Sequence, residues 1–262
     1  MSGFVRQIYK SLLPYEGRSW LHKLLHKKGY QKLRTVVHPS PKGDFSLKPY
    51  DEHQCIFVHI TKTAGTSVAK SLFSYLPYHY TATDYRIIYG RQTFDQYFKF
   101  AFVRNPWDRL YSAYRYLKAG GWNEEDRLWS ETNLAAFDNF NNFVKHWLCE
   151  DNLTKHKHFW PQHYFICDNK KRLMVDYLAY FETIDEDFRK ISAILKIDTD
   201  IGFHNANPGN SYRDAYEDES RDIVAKVYSS DIELFGYDFD GVKERKIANL
   251  RPLTCQIKEI FF

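Results

Sequence analysis

From residue 50 onward, short apolar runs alternate with stretches of helical period. Cys55–Ile60 is apolar apart from His59 and reads as a buried strand. A loop over residues 61–66 comes next, after which Val68, Ala69, Leu72, Phe73 and Leu76 recur at helical spacing. Tyr97–Val103, with Phe at 98, 100 and 102, predicts a second strand. Asn105 and Pro106 then open a helix, the first as N-cap and the second at the first helical position. Its apolar residues Leu110, Ala113, Tyr114 and Leu117 fall on one face. Further on, Tyr164–Cys167 and Leu173–Phe181 read as strands around a turn at residues 168–170, and Phe188–Leu195 as a helix. Asp218–Phe235 reads as one longer helix, with acids in its first turn and Gly236 just past its end. Strands alternating with helices predict an α/β fold of three layers around a central, mostly parallel sheet. Ligands of such sheets gather beyond the C-terminal ends of the strands.

The chain before residue 50 reads differently. Residues 5–35 suggest short basic helices broken around Pro14–Gly17, and residues 38–43, with two prolines and a glycine, read as a linker. The expected division is therefore a basic N-terminal arm and linker over residues 1–49 and one folded domain over residues 50–262. Charge sharpens that division: residues 1–43 carry nine Lys and Arg against the single acid Glu16, a charge of +8, whereas the whole chain is only +4. The body is thus mildly acidic. A basic arm suits an anionic glycan, an anionic lipid surface or nucleic acid, or it is a solvated amphipathic segment packed on the body. With 44% hydrophobic and 27% charged residues the chain should fold as a soluble globule. Its 20 Tyr, 20 Phe and 6 Trp are mostly core, with a minority left over to line a sugar groove. Cys55, Cys149, Cys167 and Cys255 are far apart without CxxC spacing, which argues against a zinc cluster or disulfide framework and for a reducing compartment. The first ten residues contain no apolar h-region, and no run approaches the ~18 apolar residues of a membrane span.

Two predicted strand ends are chemically loaded. Residues 57–70 read FVHITKTAGTSVAK, a strand, a short loop and a helix. Loop amides and a helix N-terminus converge there, Lys62 adds a full charge, Gly65 permits close backbone approach, and Thr63, Thr66 and Ser67 offer hydroxyls. This is an anion site, but Lys62 precedes Gly65, the reverse of a Walker A loop, and no Walker B pattern is present to hold magnesium. A kinase or NTPase therefore lacks two of its parts. Residues 98–116 read FKFAFVRNPWDRLYSAYRY, with Arg104 at the strand end, where a guanidinium can grip a phosphate in two places, and Ser112 two turns into the helix. Asp108 in the first turn is most simply a dipole partner, Arg109 and Arg115 either pair with acids or complete the core edge, and Trp107 packs.

TKTAGTS succeeded some forty residues later by FVRNPWDRLYSAY resembles the nucleotide-binding pair of the sulfotransferases that use 3′-phosphoadenosine 5′-phosphosulfate (PAPS), and is most similar to the carbohydrate-acting, family 2 type. WPQHYF, DYLAYFETIDEDF, HNANPGNSYRDAY and IELFGYDF look like the same family's downstream pattern, so the resemblance covers residues 53–240. One departure is Thr61, where many relatives have proline. The resemblance implies a P-loop-like phosphosulfate-binding loop. Lys62 would offset charge on the leaving phosphate, and Thr63, Ala64, Gly65, Thr66 and Ser67 would hold the 5′-phosphate. Arg104 and Ser112 would hold the 3′-phosphate, and Ser211, Tyr212 and Arg213 would form a loop closing over the nucleotide. PAPS would be a co-substrate, with no metal required.

An acceptor hydroxyl needs a base that works near neutral pH, and histidine fits. His79, in LPYHYTATDY, is placed similarly to the base histidine of uronic-acid 2-O-sulfotransferases; where those relatives can carry a second histidine, this chain has Pro77. His59 reads as structural, orienting the loop by a hydrogen bond. His156, His158 and His163 border an acceptor groove, bind a metal or are surface; Gln162 is a weaker substrate contact, and Glu182 is a buried acid or a site acid. The expected activity is transfer of a sulfuryl group from PAPS to a carbohydrate hydroxyl. A small alcohol, lipid or tyrosine acceptor is the alternative within the class, and a non-catalytic nucleotide- or glycan-binding module the alternative outside it. The expected partner is a carbohydrate, anionic polysaccharide among the options; nucleic acid is not expected, and peripheral membrane contact through the arm stays open. The expected location is the cytoplasm, or the Golgi lumen if the chain is a trimmed eukaryotic protein.

Overall fold

The fold is described from a computed structural model of the chain, covering residue 25, residues 27–202 and residues 211–245. It opens with helix α1 (Lys27–Lys32) and an antiparallel hairpin of strands β1 (Val37–His38) and β2 (Phe45–Ser46). The proline- and glycine-containing stretch read as a linker is the turn of this hairpin, closed by Gly43 N–H donating to the Ser40 carbonyl at 3.1 Å. The hairpin is tied to residues 76–78 of the body: the Tyr78 hydroxyl meets His38 Nδ1 at 2.5 Å, and Ser46 N–H donates to Leu76 O at 3.1 Å. Arg34 grips Asp51 with Nε at 2.9 Å and Nη2 at 2.5 Å. The described part of the expected arm therefore packs on the body, and residues 1–24 lie outside the described residues.

Helix α2 (Lys48–Glu52) leads into β3 (Cys55–Phe57), which crosses by α3 (Gly65–Phe73), α4 (Ala82–Tyr89) and α5 (Arg91–Gln96) to β4 (Phe98–Val103). Then come α6 (Pro106–Lys118), α7 (Glu124–Asn133), α8 (Phe140–Trp147), two 3₁₀ turns (Glu150–Lys155 and Lys157–Phe159) and α9 (His163–Ile166), before β5 (Tyr177–Tyr180). Strands β3, β4 and β5 form one parallel sheet with β4 in the middle, in register at Cys55↔Phe98 and Phe100↔Tyr177. Every residue of β3 and β4 is buried, as expected of a parallel sheet covered on both faces. The expected α/β class with a parallel sheet is thus present. Helices α10 (Ile184–Leu195), α11 (Asp218–Val227) and α12 (Ser229–Phe235) and the hairpin β6 (Tyr237–Asp238) and β7 (Gly241–Val242) complete the described chain.

Three local expectations need correction. Tyr164–Cys167 lies largely in α9 rather than a strand; the Asp231 carboxylate accepts the Gln162 and His163 amides at 2.6 and 3.0 Å and so caps this short helix from afar. A short apolar run does not distinguish the two states by period. Residues 218–235 form two helices, interrupted at Tyr228, whose hydroxyl reaches the Phe159 carbonyl at 2.7 Å. Leu76 lies beyond α3, which ends at Ser74 in a left-handed conformation (φ 61°).

The buried side chains form two cores. One surrounds the sheet, with Phe57, Phe100, Phe102, Val68, Tyr85 and Phe188. The other lies among helices, with Trp107, Leu110, Phe143, Trp147, Phe159 and Tyr228. The chain leaving β4 passes from the first core to the second, so its turn at Arg104 is held from both sides.

Candidate active site

The loop after β3 is held rigidly. Thr63 Oγ1 donates to the Ile60 carbonyl at 3.0 Å, and both Lys62 and Ala64 stand at positive φ, 66° and 61°. Each non-glycine residue in that region costs roughly 1–2 kcal/mol. The clamp is Arg109, only 2% exposed, whose Nε donates to Thr61 O and Nη2 to Thr61 Oγ1, both at 2.9 Å. Its role was left open by the sequence; in the fold it fixes the loop. Helix α3 starts at Gly65, and amides at a helix start have no intrahelical carbonyl to bond. Their dipoles favour an anion in front of the loop. Gly65 has a further reason to be glycine: a Cβ there would lie 1.9 Å from His59 Cδ2.

The Lys62 ammonium sits 4.2 Å above the Tyr116 ring. Burial, reinforced by the nearby charge of Arg104, brings its pKa down to about 8.

Arg104 is held at its backbone by Gln162, which accepts from Arg104 N at 2.9 Å and donates to Arg104 O at 2.8 Å. Gln162 is fully buried, so its chemistry is this clamp rather than a substrate contact. The Arg104 guanidinium makes a two-pronged pair with Asp108 at 2.8 Å on each arm, donates to Lys62 O at 3.1 Å and stacks 4.1 Å from the Phe181 ring. Asp108 is therefore more than a dipole partner. Ser112 lies one turn beyond it on the same helix face. Glu182 is exposed as a residue, and its carboxylate makes structural bonds: it accepts from Asn105 N at 2.7 Å and from the Tyr237 hydroxyl at 2.9 Å. Desolvation of the carboxylate by the groups packed around it raises its pKa.

On the other side of Lys62 is a cluster of imidazoles. His79 Nδ1 lies 3.0 Å from the His59 carbonyl. A carbonyl only accepts, so Nδ1 carries the proton and Nε2 keeps its lone pair. The Lys157 ammonium holds the His79 carbonyl at 2.9 Å. Burial brings the His79 pKa down to about 4, so its ring is neutral at neutral pH. The His59 ring lies 4.2 Å from that of His79 and stacks on Phe57. Among the described residues His59 Nδ1 is buried without a hydrogen-bond partner, and the ring fills the space beside Gly65.

His158 stands 6.4 Å from His79 and 4.8 Å from Tyr116, ring to ring. His156 accepts from the His158 amide at Nδ1 and pairs through Nε2 with Asp126 at 3.3 Å. Asp126 also accepts from the Tyr116 hydroxyl and the Trp122 amide, both at 2.8 Å. Against the opposing effect of burial, the bonds from His156, Trp122 and Tyr116 hold its carboxyl well below the usual range. His163 is elsewhere, paired with Asp231 at 2.6 Å, so the three downstream histidines divide. Among the described residues no group of His, Cys, Asp and Glu has the arrangement to hold a metal ion.

Ser211 caps a short 3₁₀ turn, Tyr212–Ala215. The Tyr212 hydroxyl donates to Phe239 O at 2.5 Å, and Arg213 pairs with Asp240 at 3.5 Å. The structure thus ties these residues to the β6–β7 hairpin region, while residues 203–210 before them lie outside the described residues. Tyr116 and Asp126 are site components to which sequence reading gave no role. Tyr116 belongs to the quoted motif, but no spacing could join it to Asp126 and His158.

The model of the sulfotransferase family matches residues 50–238. The chain belongs to that family. It is therefore an enzyme of the expected class, a sulfotransferase. An uncharacterized protein of Archaeoglobus fulgidus is 30% identical over 125 residues, 47% of this chain and 89% of its own length. Mouse carbohydrate sulfotransferase 12 is 29% identical over 171 residues, 54% of this chain and 40% of the mouse protein. The solved mouse sulfotransferase SULT7A1, complexed with PAP, aligns over 82% of both chains at 14% identity with a TM-score of 0.27, too slight a likeness to argue from. No helix among the described residues of this sulfotransferase is long and apolar enough to cross a membrane.

Proposed function

We propose that this sulfotransferase moves the sulfuryl group of PAPS to a hydroxyl of a carbohydrate. The observation that carries the reading is the tautomer of His79: its Nδ1–H is committed to the carbonyl of His59, the residue between β3 and the Lys62 loop, so Nε2 is the basic nitrogen. The loop amides, Thr63, Thr66, Ser67 and the start of α3 take the 5′-phosphosulfate, and Arg104 with Ser112 takes the 3′-phosphate. PAPS supplies the activated sulfuryl group. The acceptor oxygen bonds to sulfur in line as the bridging S–O bond breaks; the hydroxyl proton goes to His79 Nε2, and Lys62 offsets the charge left on the phosphate. The anionic ligand raises the basicity of His79 when bound, since a nearby negative charge favours the protonated ring. Tyr212 and Arg213 close the nucleotide side. The carbohydrate acceptor rests on the likeness to mouse carbohydrate sulfotransferase 12 and on the sequence resemblance.

The test is binding and then turnover. 3′,5′-Adenosine bisphosphate should stabilise the protein against heat, by ~2.7 kcal/mol at about 100 times its Kd, and ATP–Mg should not. Labelled sulfate should pass from PAPS to a glycan panel, and His79→Ala should abolish that transfer while still binding the bisphosphate. Stabilisation by ATP–Mg alone would defeat the proposal.

A further inference from the structure

Buried imidazoles normally find partners for their ring nitrogens, and in this molecule the contrast among neighbours is sharp. His156 engages both nitrogens, one with the His158 amide and one with Asp126. His163 is bonded to Asp231. Two imidazole nitrogens are buried without a partner among the described residues, His59 Nδ1 and His158 Nδ1. His59 is explained by shape, because its ring is stacked on Phe57 and fills the gap left by Gly65. The His158 ring also packs on Tyr116 and His156, but it fills no such gap. A polar group left unsatisfied is costly, and such a cost persists most readily where a ligand supplies the missing bond.

The position of His158 says what that ligand atom is. Its ring stands edge-on to the Tyr116 ring, the same ring that carries the Lys62 ammonium. It also stands 6.4 Å from His79, ring to ring. It therefore neighbours both the ring that carries the lysine assigned to the leaving phosphate and the imidazole assigned to the acceptor proton. Its backbone is fixed at both ends: the amide donates to His156 Nδ1, and the carbonyl accepts from Arg109 Nη2 at 3.3 Å. Arg109 also holds Thr61 of the phosphate loop, so loop and imidazole share one buried clamp. That is how a group that touches substrate is pre-organised.

We infer that His158 is a second active-site imidazole, which donates a hydrogen bond from Nδ1 to an oxygen of the sulfuryl group during its transfer. This rests on the sulfuryl-transfer reading above. The sulfuryl oxygens share negative charge as the bridging bond breaks, and a fixed donor there stabilises the transition state more than the ground state. No proton changes owner at His158: His79 takes the acceptor proton, and His158 only lends its N–H.

The experiment compares wild type with His158→Phe, which keeps a ring among the same aromatic neighbours but has no nitrogen, and His158→Gln, which keeps a side-chain N–H. For each, stabilisation by 3′,5′-adenosine bisphosphate is measured alongside kcat and KM for PAPS. The expected result is a fall in kcat of about a hundred-fold for Phe, a smaller fall for Gln, and bisphosphate affinity and KM within about two-fold of wild type for both. A Phe variant with wild-type kcat overturns the inference, as does one in which kcat and bisphosphate affinity are lost together. Wild type that fails to bind the bisphosphate defeats the underlying reading instead, and so is told apart.

Discussion

The His59 ring occupies the space that a side chain on Gly65 would fill, with Cδ2 1.9 Å and Nε2 2.2 Å from the ideal Cβ position. The strand that leads to His59 and the helix that closes the phosphate loop therefore fit together only around a glycine. Through its carbonyl His59 also fixes the tautomer of His79. Gly65→Ala should displace the ring and with it His79, lowering stability by about 1–3 kcal/mol and turnover by more than the stability loss explains. The urea midpoint and kcat check this; a variant matching wild type in both would show that the ring is free to move.

Arg104 is pre-aligned by Asp108 and by the Lys62 carbonyl, in a fork that only guanidinium can form. Hydrogen bonds to charged groups are worth about 1.5–3 kcal/mol, so Arg104→Lys should weaken 3′,5′-adenosine bisphosphate binding roughly ten- to hundred-fold. Adenosine 5′-monophosphate, which lacks the 3′-phosphate, should bind wild type and variant alike. Titration calorimetry with both nucleotides decides it; equal losses for both would move Arg104 away from the 3′-phosphate.

Lys62 loses its charge as pH rises through about 8 in the free protein, because burial and Arg104 disfavour the ammonium. Affinity for the bisphosphate should therefore fall between about pH 7 and pH 9 in wild type. Lys62→Arg, charged throughout that range, should show a flatter profile. Parallel profiles would remove Lys62 from the binding charge.

His79 titrates near 4 in the folded chain, below the ordinary imidazole value of 6.5. The unfolded chain thus binds the extra proton first, and folding stability should decline as pH falls from about 6.5 toward 4. The stability is fully present above that window. His59 and His158, also pushed down chiefly by burial, act in the same direction. Replacing His79 with Gln should shallow the decline, and unfolding midpoints at about pH 7, 6 and 5 measure it. An unchanged slope would mean that His79 is solvated and ordinary.

The two loaded strand ends were legible because their signals are local. A short apolar run, a lysine and hydroxyl loop, an Asn–Pro helix start and a helical repeat each depend on residues within a turn or two of each other. The parallel sheet was implied by the alternation of such segments. Expectation failed where a distant group decided the local state. Asp231 caps α9 from 68 residues away, turning an apparent strand into a helix. Tyr228 breaks α11 from α12 by reaching Phe159. The apparent linker became a hairpin turn because His38 and Ser46 found Tyr78 and Leu76.

The candidate site divides in the same way. By itself the sequence determined which residue types stand at the ends of β3 and β4, since the motif residues are contiguous and their chemistry is intrinsic. Tertiary structure alone decided which nitrogen of His79 keeps its lone pair, that Gln162 and Arg109 are clamps, that Asp108 grips Arg104, and that His158 faces both His79 and the Tyr116 ring. These depend on contacts between chain segments that are mostly tens of residues apart, and packing rather than periodicity selects such contacts.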